Sequence, residues 1–164
     1  MRQRYLIALG SNVRHARHGP PAKVVRAALI ALAGVGVKVL RQSRLMQTVP
    51  LGPSRRRYAN SAAVIETALG PDDLLDLLKT IEQRFGRRVG GQRWLARVLD
   101  LDIILWGPGA WVSNGLTIPH PQFRNRAFVL GPAHLIAPDW RDPLSALSLR
   151  QLHARLTRPR PAPR

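Results

Sequence analysis

Asp100 and Asp102, separated by one leucine, are the two residues of this chain whose type and spacing are best suited to chemistry. They lie in Leu99-Asp100-Leu101-Asp102-Ile103-Ile104-Leu105-Trp106. The odd positions Leu99, Leu101, Ile103 and Leu105 are aliphatic, so a period of two puts those four on one buried face of a strand and both carboxylates on the other. Carboxylates at i and i+2 sit about 7 Å apart and, at an effective dielectric of about 20, repel by about 2 kcal/mol. A cation must offset that. Magnesium takes a few carboxylates and completes its shell with water and phosphate oxygens, which makes an Asp-x-Asp strand a candidate metal site for phosphoryl transfer. Two aspartates salt-bridged to arginines fit the same spacing, and the pattern alone leaves both readings open.

Cations are abundant: 26 Lys and Arg stand against 9 Asp and Glu, a formal net charge of +17. They fall into separate clusters, Arg55-Arg56-Arg57, the set Arg84, Arg87, Arg88, Arg93 and Arg97, and the tail from Arg158 to Arg164. Only the second lies beside the carboxylates, where concentrated positive charge suits a triphosphate. The others read as solvated surface or as a weak, nonspecific nucleic-acid footprint. His15 and His18 have a metal-compatible spacing, but a ligand role there needs a third partner. Asn60 offers both donors and an acceptor, and a turn-capping role explains it equally well. Tyr58 and Phe128, taken alone, are ordinary packing residues.

The elements that must position these groups follow from pattern and punctuation. Tyr5 to Leu9 is a short apolar run ending at Gly10-Ser11-Asn12 and predicts a buried strand, followed by a basic loop over Val13 to Gly19. Pro20-Pro21 opens a helix to about Ala33, with Val25, Leu29 and Leu32 on one face and Gly34 as its stop. Val37 to Thr48 predicts one strand, ended by the prolines of Thr48-Val49-Pro50-Leu51-Gly52-Pro53. Tyr58 to Thr67 predicts the next strand, and Gly70-Pro71-Asp72-Asp73 starts a helix whose core face is Leu74, Leu77, Leu78, Ile81 and Phe85, with Gly86 as its end. After the Asp-x-Asp strand come two short edge strands, Ala110-Trp111-Val112 and Leu116-Thr117-Ile118. A helix over Asn125 to Ala137, interrupted near Gly131-Pro132, and a weaker helix over Leu144 to Leu156 complete the order. Strand, helix, strand, strand, helix, strand predicts an α+β, ferredoxin-like fold: an antiparallel-rich sheet with helices packed on it in three layers.

The 164 residues suit one domain, assigned to 1–157, with 158–164 as a mobile basic tail of prolines and arginines. No apolar run approaches the roughly 20 residues of a membrane span, and no cleavage site follows the first apolar run. With zero cysteines, disulfides and thiolate metal sites are excluded. The expectation is a cytoplasmic monomer without a membrane partner.

Several separated segments together resemble one family, 6-hydroxymethyl-7,8-dihydropterin pyrophosphokinase of folate biosynthesis. They are Ala8-Leu9-Gly10-Ser11-Asn12, Thr48-Val49-Pro50-Leu51-Gly52, Tyr58-Ala59-Asn60-Ser61-Ala62, Ile81-Glu82 with Gly86-Arg87, Arg97-Val98-Leu99-Asp100-Leu101-Asp102-Ile103, and Pro119-His120 with Asn125-Arg126-Ala127-Phe128-Val129-Leu130. The resemblance implies transfer of pyrophosphate from ATP to the pterin hydroxymethyl group, with AMP released and two magnesium ions held by Asp100 and Asp102. It implies that Arg87 and Arg97 neutralise the triphosphate as the bond to the α-phosphate breaks, and that His120 and Arg126 contact ATP. The pterin would lie between Tyr58 and Phe128, with Asn60, Thr48, Trp94 and the backbone near Leu51 also in contact. Adenine would lie near Ile103, Leu116 and Thr117.

The chain departs from the family pattern at Arg93-Trp94-Leu95-Ala96-Arg97, where Arg-Trp-Gly-Pro-Arg is usual. It departs also in a longer, more basic first loop, and at Gly115, where some members carry arginine. The alternatives are a paralogue acting on a modified pterin, or a basic ferredoxin-like nucleic-acid-binding module. The chain lacks an aromatic RNA-binding strand motif, which argues against the second.

Overall fold

A computed structural model describes residues 1–48, 57–86 and 98–159. The main sheet contains β1 (Gln3–Ser11), β2 (Lys38–Gln42), β3 (Met46–Thr48), β4 (Tyr58–Thr67) and β5 (Asp100–Trp106). Its order is β2-β4-β1-β5, with β3 also on β4, and every pairing is antiparallel. Helices α1 (Pro21–Gly34) and α2 (Pro71–Arg84) make the crossovers, which gives the expected ferredoxin-like arrangement. Helices α3 (Ala127–Ile136) and α4 (Leu149–Thr157) supply the other helical layer.

Two apolar clusters separate these layers. The first contains Ile7 and Leu9 of β1, Val25, Leu29 and Leu32 of α1, and Leu74, Leu78 and Ile81 of α2. The second gathers Leu6, Val64, Leu105, Phe123, Leu130 and Leu152. Tyr5 is fully buried and its hydroxyl donates to the Leu69 carbonyl at 2.8 Å, tying β1 to the turn before α2; burial pushes that phenol up to about 12.

Four expectations about where elements begin, break and pair need correction. The strand over 37–48 is two strands, because the buried Ser43 hydroxyl accepts the Ala62 N–H at 3.0 Å where a ladder carbonyl would otherwise do so. The expected interruption at Gly131-Pro132 is absent: α3 runs through it, and Met46 Cε lies 3.5 Å from where a Gly131 Cβ would be. There glycine admits β3, and Pro132 forgoes one intrahelical bond. The two short strands, β6 (Trp111–Ser113) and β7 (Leu116–Ile118), pair with each other and form a separate ribbon, not edges of the main sheet. The last helix starts at Leu149, not Leu144, because Ser148 and Gln151 form a reciprocal capping box.

The segment leading to that helix is held by Asp142, which is fully buried. Arg124 donates to its carboxylate twice, at 2.7 Å each, and the Leu144 N–H donates at 3.2 Å. The Ser145 hydroxyl donates as well. Burial alone would raise the Asp142 pKa, but the Arg124 and Ser145 hydrogen bonds, the Leu144 amide and the Arg124 charge together bring it below the ordinary 3.8. A depressed carboxylate stabilises the fold above its unfolded value, and that contribution disappears as pH falls through the lower folded value. Asp142→Asn should therefore cost about 3 kcal/mol in urea unfolding at neutral pH, the low end for a broken buried pair because Arg124 stays partly hydrated. The difference from the unsubstituted protein should shrink in acid; an equal difference at both pH values would contradict the linkage.

Candidate functional site

The register of β5 on β1 builds the floor of the site. Asp100 faces Gly10 and Asp102 faces Ala8, and one strand further Gly10 faces Asn60 and Ala8 faces Ala62. The carboxylates therefore project beside a patch of glycine and alanine, which leaves room above the sheet for a ligand. A Cβ at Gly10 would come within 3.1 Å of Asn60 Oδ1, so a side chain there would press on the Asn60 amide. Leu99, Leu101 and Ile103 occupy the opposite, first cluster, as alternation predicts.

Alternation fails at the end of β5. The register shifts between Leu6 and Ile7, so Ile104 and Leu105 both enter the second cluster. The expectation that Leu105 shares a face with Leu99, Leu101 and Ile103 is thus corrected by a β-bulge. The bulge has a consequence for the site: the Ile104 carbonyl accepts the His120 N–H at 3.0 Å and docks the segment after β7 against β5.

His120 is half-buried, and its Nδ1 accepts the Gln122 N–H at 3.1 Å. The neutral ring therefore carries its proton on Nε2 and offers it as a donor. Burial, then the Arg126 charge, lowers the His120 pKa below 6.5, against smaller opposing effects of its own backbone carbonyl and Asp100. Arg126, just before α3, places Nη1 3.8 Å from Asp102 Oδ2 and its guanidinium 5.7 Å from the centre of the Phe128 ring. Asn60 Nδ2 donates to Thr48 Oγ1 at 2.6 Å. That leaves Asn60 Oδ1 as an acceptor and the Thr48 hydroxyl hydrogen as a donor, a complementary pair beside Tyr58, which is the register partner of Thr48.

Not every expected residue joins this face. Ile103 and Leu116 are buried in the first cluster, so main-chain groups are what these positions can offer a base; Thr117 is exposed. Leu51, Arg87, Trp94 and Arg97 lie outside the described residues, as do Leu95, Ala96 and tail residues 160–164. His15 Nδ1 accepts the backbone N–H groups of Arg17 and His18 at 3.0 and 3.1 Å, and no group of three His, Cys, Asp or Glu able to hold a metal occurs among the described residues. The two carboxylates still suit magnesium, a hard cation that takes oxygen donors and keeps several positions for water and phosphate. Sequence reasoning gave no role to Glu82, which is 3% exposed and accepts the Leu101 N–H at 2.7 Å. Its signal was a charged residue on the apolar side of α2.

Fold and floor together define a ferredoxin-like domain with an acidic pair on one sheet face, rimmed by histidine, arginine and amide groups. A family profile for 7,8-dihydro-6-hydroxymethylpterin-pyrophosphokinase matches residues 6–138, and the chain belongs to that family. It is 39% identical over 148 residues to the 2-amino-4-hydroxy-6-hydroxymethyldihydropteridine pyrophosphokinase of Synechocystis, covering 90% of this chain and 73% of the relative. It is 41% identical over 145 residues to the enzyme of the same name from Pseudomonas aeruginosa, covering 87% and 86%. The fold resembles the Plasmodium falciparum HPPK-DHPS crystal structure with a TM-score of 0.73 and 13% identity, over 94% of this chain and 45% of that one.

The His120 tautomer makes a prediction. His120→Gln, whose amide nitrogen can reach the Nε2 position, should retain more affinity for a nucleoside triphosphate than His120→Asn. Calorimetric titration of both variants checks it, and equal losses would remove the role of the Nε2 proton.

Proposed function

We propose that this chain transfers the terminal two phosphates of ATP, as a pyrophosphoryl group, to the hydroxymethyl oxygen of 6-hydroxymethyl-7,8-dihydropterin in folate biosynthesis. The hydroxyl oxygen forms a bond to the β-phosphorus, the bond from that phosphorus to the α,β-bridging oxygen breaks, AMP leaves, and the hydroxyl proton passes to solvent. The observation that carries this reading is the arrangement of Asp100 and Asp102 over the Gly10 and Ala8 floor, in a chain of this family. The name shared by the Synechocystis and Pseudomonas relatives supplies the pterin and the pyrophosphoryl transfer. The family assignment does not favour a nucleic-acid-binding module.

In this reading Asp100 and Asp102 hold two magnesium ions. Those ions, when bound, supply charge neutralisation and orientation of the triphosphate. The chain's own residues do the rest. His120 donates Nε2–H to a phosphate oxygen, and Arg126 adds charge at the same rim. Arg87 and Arg97, assigned from sequence resemblance, meet the charge that builds on the departing AMP. Asn60 Oδ1 and the Thr48 hydroxyl read the heterocycle edge, with Trp94 and the backbone at Leu51 completing its contacts, while Tyr58 and Phe128 cover its faces. The main chain at Ile103 and Leu116, with Thr117, borders the adenine. We take the enzyme to work as a monomer in the cytoplasm, where a chain with zero cysteines forgoes nothing. No helix among the described residues is long and apolar enough to cross a membrane.

A coupled assay of AMP release from ATP, with and without the hydroxymethyldihydropterin, tests the reaction; pterin-independent release or none would reject it. Asp100→Ala and Asp102→Ala should each abolish transfer while leaving thermal unfolding intact, because each removes one of two repelling carboxylates. Arg97→Ala should lower kcat by about 10³-fold with little change in substrate affinity, as for arginines that act in the transition state.

A further inference from the structure

Glu82 is a buried carboxylate, on the last full turn of α2, for which the proposed reaction has no use. Its Oε1 accepts the Leu101 N–H at 2.7 Å, and both residues are almost completely buried, at 3% and 4% exposure. Among the described residues β5 lies at one end of the main sheet and pairs there with β1 alone, so amide groups on its outer side take partners from elsewhere. The amide that Glu82 takes belongs to the peptide unit joining Asp100 to Leu101. Rotation of that unit changes ψ of Asp100 and φ of Leu101, the two angles that set how the Asp100 side chain stands relative to Asp102.

We infer that Glu82 is a positioning residue: its hydrogen bond to the Leu101 N–H holds the Asp100–Leu101 peptide plane, and through it the relative orientation of the two carboxylates toward divalent metal. The inference rests on the metal role proposed for that pair. Among the described residues no main-chain carbonyl from a further strand takes that amide, so the Glu82 side chain is the acceptor that fixes it. Groups that orient metal ligands without touching the ion typically change metal affinity by about ten- to a hundred-fold when removed.

The test is calorimetric titration of Mn²⁺ into protein saturated with a non-hydrolysable ATP analogue, with folding followed by circular dichroism. Glu82→Met keeps side-chain length and helix propensity but deletes the acceptor. Glu82→Gln keeps an acceptor oxygen and deletes the charge. Mn²⁺ affinity should fall about ten- to a hundred-fold in Glu82→Met and stay within about three-fold of the unsubstituted protein in Glu82→Gln. A folded Glu82→Met that binds Mn²⁺ normally overturns the inference, and so does a Glu82→Gln as weak as Glu82→Met, since charge would then be the cause. Should Glu82→Met not fold, Glu82→Asp, which draws the acceptor back from the Leu101 N–H by one methylene, takes its place under the same readings: a loss of about ten-fold beside a near-normal Glu82→Gln upholds the hydrogen bond, and normal affinity rejects it. Asp102→Asn in the same titration separates the two levels of argument, because Mn²⁺ binding equal to that of the unsubstituted protein would reject the metal role of the pair itself.

Discussion

Burial of Leu99, Leu101 and Ile103 against α1 and α2 is the constraint on which the site depends. A strand with three consecutive same-face positions committed to a core has no freedom in its other face, so Asp100 and Asp102 must emerge together on the α3 side. Arg126, 3.8 Å from Asp102, relieves part of the cost of placing two like charges there, and the small residues on β1 leave them room. Slipping β5 by one residue would bury both carboxylates and expose the leucines, a change no local rearrangement could compensate. The hydrophobic effect therefore acts here as the device that aims the chemistry.

The bulge at Ile104 and Leu105 shows the same economy at the other end of the strand. By turning Leu105 into the second cluster it lets one strand serve two cores, and by freeing the Ile104 carbonyl it gives His120 a fixed anchor. An imidazole on an unanchored loop would exchange between tautomers and orientations; with its backbone pinned at 3.0 Å and Nδ1 occupied by the Gln122 N–H, His120 presents one defined donor.

Much of this was legible in the sequence, for identifiable reasons. Alternation in β5 as far as Ile103, the apolar run of β1 and the proline-led starts of α1 and α2 are local patterns, and the structure follows them. The break at Ser43, the bulge at Ile104 and the continuity of α3 through Gly131-Pro132 were not legible, because each is decided by a partner distant in sequence: Ala62, Leu6 and Met46 respectively. The pairing of β6 with β7 is of the other kind: Ser113 faces Leu116 across Asn114-Gly115, a two-residue hairpin turn that is a local pattern and that the reading as two edge strands passed over. Within the site, Asp100 and Asp102 announced themselves by spacing, whereas Glu82 showed only as a charge on the apolar side of α2, because the amide it binds lies nineteen positions away.

The contact of Arg126 with Asp102 bears on how the proposed site can hold its two carboxylates together and still admit a metal. Both side chains are 34% exposed and the separation is 3.8 Å, so this is a partly hydrated ion pair without close hydrogen-bond geometry. Such pairs contribute about 0.2–1 kcal/mol, little enough for an incoming dication to displace. Arg126 also lies near the Phe128 ring, so its guanidinium can move from the carboxylate toward ring and phosphate without leaving the rim. In the proposed reaction that shift converts a counter-ion of Asp102 into a ligand for the triphosphate, and it joins the aromatic side of the site to its acidic side through one side chain.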